Sequence, residues 1–201
     1  MCRGSRRTNR GSRTSRDVCH AWPASPVIIS NTEDAAEVDR KRIAACFQIG
    51  GDRTFEEDPR FGLVVLSEIA SRALSPGIND PGTAIDIINT CVRLFVIWGT
   101  PSAEADATPG KYDRVEVSEI SIEDMFDDAF MAIARDGAGM VEVGVRLQKS
   151  LRALAGVGNA QMRQAAERHA RLALARAEQA LELPQDLDAV RYASLVPGQP
   201  S

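Results

Sequence analysis

Six residues in the first half of the chain have side chains suited to holding a polar ligand: Arg53, Asp58, Asn79, Asp80, Thr83 and Asp86. A guanidinium, an amide, a hydroxyl and carboxylates can together recognise a polar molecule or an ion through charge-assisted hydrogen bonds. Four of the six fall in the string ALSPGINDPGTAID (Ala73–Asp86), so the ligand-binding hypothesis centres on residues 75–86. Local chemistry offers a plainer use for most of that string. Pro76 cannot continue a helix, and Gly77 tolerates positive φ where a helix has just ended. Asn79 suits a turn, Asp80 is a strong N-cap and Pro81 fits the first helical position. Arg53 would then pair with Asp58 or with a helix C-terminus. Asn79, Thr83 and Asp86 are the residues this helix–turn–helix corner explains least.

Two further groups invite a chemical reading. Glu123, Asp124, Asp127 and Asp128 set carboxylates at i,i+4 spacing on two faces of one helix start. Such a cluster can hold Mg²⁺ or Ca²⁺ or act as an acid/base pair, yet no EF-hand or ExxH spacing accompanies it. Acids at a helix N-terminus stabilise the helix in any case. His169 falls among Met162, Ala165, Ala166 and Leu172, on or beside an apolar stripe, with no nucleophile elbow or triad pattern in the chain. Gly50-Gly51 and Gly137-Ala138-Gly139 lack the phosphate-loop and dinucleotide patterns. Cys2, Cys19, Cys46 and Cys91 show no CxxC or CxxH spacing. No catalytic residue, metal site or cofactor is therefore assigned, and a non-enzymatic reading leads.

These residues need elements to position them. WPASPVIIS (Trp22–Ser30) reads as an extended or edge segment, residues 33–46 as a short helix, and FQIGGDRT as a strand entering a turn. Phe61–Leu74 has a helical stripe of Leu63, Leu66, Ala70 and Ala73, with Glu68 and Arg72 paired opposite. Ala84–Trp98 follows, with Ile85, Ile88, Val92 and Phe95 inward. TPSAEADATPGK (Thr100–Lys111) is a polar loop, and YDRVEV (Tyr112–Val117) alternates like a strand. Ser121 N-caps a helix to Arg135 with Asp124 at its third position and a stripe of Phe126, Phe130 and Ile133. A helix from Met140 to Leu154 buries Val143, Leu147, Leu151 and Leu154. After GVGN an alanine-lined helix runs to Leu181, closed by Pro184, with a short final segment to Leu195. The fold class expected is mainly α, a helical soluble domain with a few short strands.

Composition sets the outer limits. Apolar residues are 44%, charged residues 26% and aromatics 5% of the 201 residues, ordinary for one globular domain and favouring helices. Net charge is −4, but residues 1–16 hold six arginines and no acid, leaving about −10 on the remainder. An acidic body argues against nucleic acid as its partner. Residues 1–26 read as a disordered Arg-rich leader or a non-native start, 27–196 as the helical domain and 197–201 as a disordered tail. No run of about eighteen uncharged apolar residues is present, and the nearest, Ile85–Trp98, is short and carries Asp86 and Arg93.

The residues Arg53-Thr54, Asp58, Phe61-Gly62, Ile69-Ala70, ALSPGINDP and Thr83-Ala84, with IARDGAGMVEVGVRLQKSLRAL (Ile133–Leu154), carry a family resemblance. The chain resembles, over roughly residues 45–195, the soluble part of a bacterial family of predicted membrane proteins catalogued as domain of unknown function 2254. The resemblance implies a transmembrane bundle followed by a soluble domain, with full-length relatives in the bacterial inner membrane. This chain, which lacks that bundle, reads as truncated: soluble as given, cytoplasmic, and associated with membrane only through the missing region. The function expected is a regulatory, assembly or sensing domain, with a homo-oligomer as one partner. The alternatives are an ion or polar-ligand site at residues 75–86, and a fragment without independent function.

Overall fold

The computed structural model describes residues 18–19, 27–29, 55, 58–100, 115–117 and 120–194. They fall into two compact units. One contains three short antiparallel segments, β1 (Val18–Cys19), β2 (Val27–Ile29) and β3 (Val115–Val117), ordered β1-β2-β3 with Ile28 opposite Glu116.

The other unit is helical. Its six helices among the described residues are α1 (Pro59–Ala73), α2 (Pro81–Gly99), α3 (Ile122–Asp136), α4 (Val141–Val157), α5 (Ala160–Ala180) and α6 (Pro184–Ser194). The mainly α expectation holds. The few short strands expected within this domain do not, because the described residues of the unit contain none. The helix at 33–46, the strand over 47–54, the loop 101–111, the leader through residue 17 and the 197–201 tail lie outside the described residues.

Caps set most helix starts. Asp58, Asp80, Ser121 and Asn159 each accept a backbone N–H from three residues on, at 3.2, 3.1, 3.2 and 2.9 Å respectively. Proline follows the cap at both Pro59 and Pro81, where its missing N–H costs nothing. Asp80 and Pro81 start α2, as their cap chemistry expects, so the helix extends in front of the apolar run Ile85–Trp98. It reaches 19 residues, and its most apolar window has a mean hydropathy of 1.3. By length and composition it can cross a bilayer, which corrects the expectation that no segment does. Pro184 likewise opens α6 rather than only closing α5.

One core joins α1 to α5. At its centre Phe95 lies 4.3 Å from Phe126 and 5.7 Å from Phe130 between ring centroids, and Phe126 lies 5.4 Å from Phe130. Ile133 and the α4 stripe of Val143, Leu147, Leu151 and Leu154 are buried as expected. On α2 the stripe is rotated: Ala84, Ile88, Cys91 and Phe95 are buried, while Ile85 and Val92 are half-buried. Small Ala84 and Cys91 let the neighbouring helices approach closely, and the larger residues take the flanks. The α5 alanines Ala165, Ala166, Ala173 and Ala177 face this core in the same way.

Candidate functional site

At the 75–86 corner each residue has a structural task. Leu74 N–H donates to Ala70 O (2.9 Å), Asn79 N–H to Ser75 O (2.9 Å) and Asp80 N–H to Ala73 O (2.8 Å), closing the chain on itself. Asn79 sits at φ +52°, in the left-handed region, and no other described non-glycine residue has positive φ. The sequence assigned that freedom to Gly77, whose φ lies outside this region. The turn must be made on the residue just before the cap, and Asn tolerates it better than other side chains.

Asp80 is exposed and takes the Thr83 hydroxyl at 2.6 Å and the Thr83 amide at 3.1 Å. The hydroxyl first, and then the amide, hold its carboxyl below the usual carboxylate range. Asp86 is exposed on α2, its carbonyl accepting the Thr90 hydroxyl at 2.9 Å. The structure thus brings Asn79, Asp80 and Thr83 together, with Asp86 further along the same helix. Asp58 caps the opposite end of α1, a 15-residue helix about 22 Å long, and Arg53 lies outside the described residues.

The start of α3 is the most heavily charged site in the fold. Its two acidic faces are held by two arginines from different helices. Arg60 of α1 donates through Nε to Asp128 (2.6 Å) and through a terminal nitrogen to Asp124 (3.0 Å). Arg168 of α5 reaches Asp127 (2.9 Å) and Glu123 (3.4 Å). The far ends of α1 and α3 are joined too, by the Ser71 hydroxyl on Asp136. Arg135 chelates Asp136, and its hydrogen bond is the main reason that carboxyl sits below its ordinary range.

His169 completes this cluster. It is 2% exposed, with Nε2 at 3.0 Å from Asp127 Oδ1 and the rings of Phe126 and Phe130 at 5.8 and 6.4 Å. Burial is the main cause lowering its pKa; Asp127 opposes the shift, while Arg168 and Arg176 add to it. The neutral ring therefore donates from Nε2 to Asp127, and Arg168, at 3.4 Å from the same nitrogen, addresses the carboxylate instead. An Asp–His pair is the orienting half of an acid/base relay, but here the imidazole is sealed between two phenylalanines and serves as a packed, satisfied polar side chain.

Arg60 and Arg168 were missed in the sequence. Their partners are 64 and 68 residues away in one case and 41 in the other, so no local spacing reveals them. The available signal was weaker: two acidic faces on one helix start require two cations, and Arg60 follows a cap that fixes where it sits.

A helical bundle whose charged groups tie its own helices together is the class this fold and site define. The chain belongs to the family described as Predicted membrane protein (DUF2254), which matches residues 14–153. Uncharacterized proteins of Mycobacterium bovis and of two Mycobacterium tuberculosis strains are each 54% identical over 41 residues, 20% of this chain. The match spans only 8% of the length of those relatives. No solved structure matches the chain.

Proposed function

We propose that the chain is a non-catalytic helical domain that works beside a bilayer, as an assembly, regulatory or sensing element of its membrane protein. The observation that carries this reading is the use of the charged residues: Arg60 and Arg168 bind the α3 acids into the framework, which leaves them building the bundle. The family description supplies the membrane. The test is fractionation of bacterial cells making the chain. The reading expects it in the membrane pellet; recovery entirely in the soluble fraction contradicts it.

A second reading places a polar-ligand or ion site at residues 75–86, with Asn79, Asp80, Thr83 and Asp86 as its candidates, while Asp58 sits at the far end of α1. What favours it is the exposed Asn79 in a left-handed conformation beside two exposed carboxylates, since backbone strain collects at binding sites. Asp80→Ser keeps a capping oxygen but removes the charge. A thermal-shift screen that finds a stabilising ion or polar ligand for the parent and none for this variant supports the site; equal behaviour removes it.

A further inference from the structure

The C-terminal end of α2 is where the surface departs most from an ordinary soluble bundle. Ile97 is 71% and Trp98 45% exposed, with Leu94 and Val96 exposed beside them. Gly99 and Gly158 both lie against the Met162 side chain, so the ends of α2 and α4 meet the start of α5. That junction adds Val157, 65% exposed, to the same end of the molecule. Five large apolar side chains are thus presented to solvent where three helix ends converge.

The two segments that supply these apolar residues carry cations and no acids. The segments 87–100 and 143–166 contain no Asp or Glu, yet they carry Arg93, Arg146, Lys149, Arg152 and Arg163 in a protein of net charge −4. Arg93 adjoins Leu94, Arg163 adjoins Met162, and both are exposed. The Phe95–Phe126 contact brings the acids of the α3 start towards this end, where Arg60 and Arg168 hold all four in ion pairs. Apolar residues with an interfacial tryptophan and exposed cations match a bilayer surface bearing anionic headgroups.

We propose that this end of the bundle, centred on Ile97, Trp98 and Val157 with Arg93 and Arg163, docks on an anionic membrane surface. The proposal rests on the bilayer-side reading above and names the face involved. Docking on the surface suits α2 better than crossing: its Ala84, Ile88, Cys91 and Phe95 stripe is committed to the core, and Asp86 and Arg93 interrupt its outer side. Ile97 and Trp98 enter the boundary between headgroups and acyl chains, while the arginines meet lipid phosphates.

The test is co-sedimentation of the full chain with vesicles of phosphatidylcholine alone or mixed with phosphatidylglycerol. Binding is expected on the anionic vesicles, weakening with salt. Ile97→Asp and Val157→Asp should each weaken it about tenfold or more, since each removes a buried aliphatic group and adds a repelled charge. Both side chains are exposed, so the variants should melt with the parent. Ile78→Asp, 61% exposed at the other end of α2, is the control and should bind unchanged. Equal binding by parent, Ile97→Asp and Val157→Asp overturns the proposal, as does absence of vesicle binding. In the latter case a chain still found in the cellular membrane pellet leaves the bilayer-side reading standing with a protein partner. A chain wholly soluble in cells removes both.

Discussion

The imidazole Nε2 of His169 lies 3.0 Å from Oδ1 of Asp127, and both belong to residues of the ion-paired seam between α3 and α5. That contact makes the seam sensitive to pH. Burial lowers the folded-state pKa of His169, so the unfolded chain binds the proton more readily than the folded one. The stability this group contributes is fully present above the unfolded value of about 6.5 and is lost as pH falls from there through the lowered folded value. The midpoint of urea unfolding should therefore decline as pH falls below about 6.5. His169→Gln should flatten that decline, measured by circular dichroism across the range. Asp136 contributes a separate loss at lower pH, since its depressed carboxyl protonates only below the ordinary carboxylate range.

The Arg60 clamp should be worth about 1 kcal/mol. Its hydrogen bonds to Asp128 and Asp124 are charge-assisted, but Arg60 is more than a third exposed and solvent screens it. Arg60→Ala, Asp128→Asn and the double variant should show a coupling energy of that order, shrinking with added salt. Asp124→Asn should cost less, because Asp124 is the more exposed of the two carboxylates.

Phe126 should be among the most costly side chains to truncate. It touches Phe95, Phe130 and His169 at the centre of the core. Phe126→Ala should destabilise by about 3–5 kcal/mol and Phe126→Leu by clearly less, read from denaturant midpoints.

The corner makes opposite predictions for neighbouring small changes. Asn79→Ala places a residue less suited to positive φ in the left-handed region and should cost about 1 kcal/mol, whereas Asn79→Gly should not. Gly77→Ala meets open space without positive φ and should stabilise by about 0.5 kcal/mol. Thermal melts of the three variants decide the matter.

Much of the helical unit was legible because its signals are local. Ser121 with Asp124, the stripe of Phe126, Phe130 and Ile133, and the α4 periodicity all act within one or two turns. Errors came where local rules compete. Hydropathy pointed to Ile85 and Val92 as inward-facing, but close helix packing put Ala84 and Cys91 there. Glycine's freedom suggested Gly77 for the left-handed turn, but the register of Asp80 N–H on Ala73 O placed it on Asn79. The candidate site was legible only in its types. Asp80 could be recognised as a cap, whereas the sequence suggests Asp58 as a partner for Arg53 and it proves to cap α1. That the two lie at opposite ends of α1, and that Arg60 and Arg168 reach across the chain, depends on the tertiary fold.

The claim that this end of the bundle meets a bilayer is tested most directly at Trp98. The chain has two tryptophans, so Trp22→Phe leaves Trp98 as the sole indole emitter. With phosphatidylglycerol vesicles its emission should shift to the blue, and brominated phospholipid should quench it. Emission that stays unshifted and unquenched at saturating vesicle concentration would contradict the account.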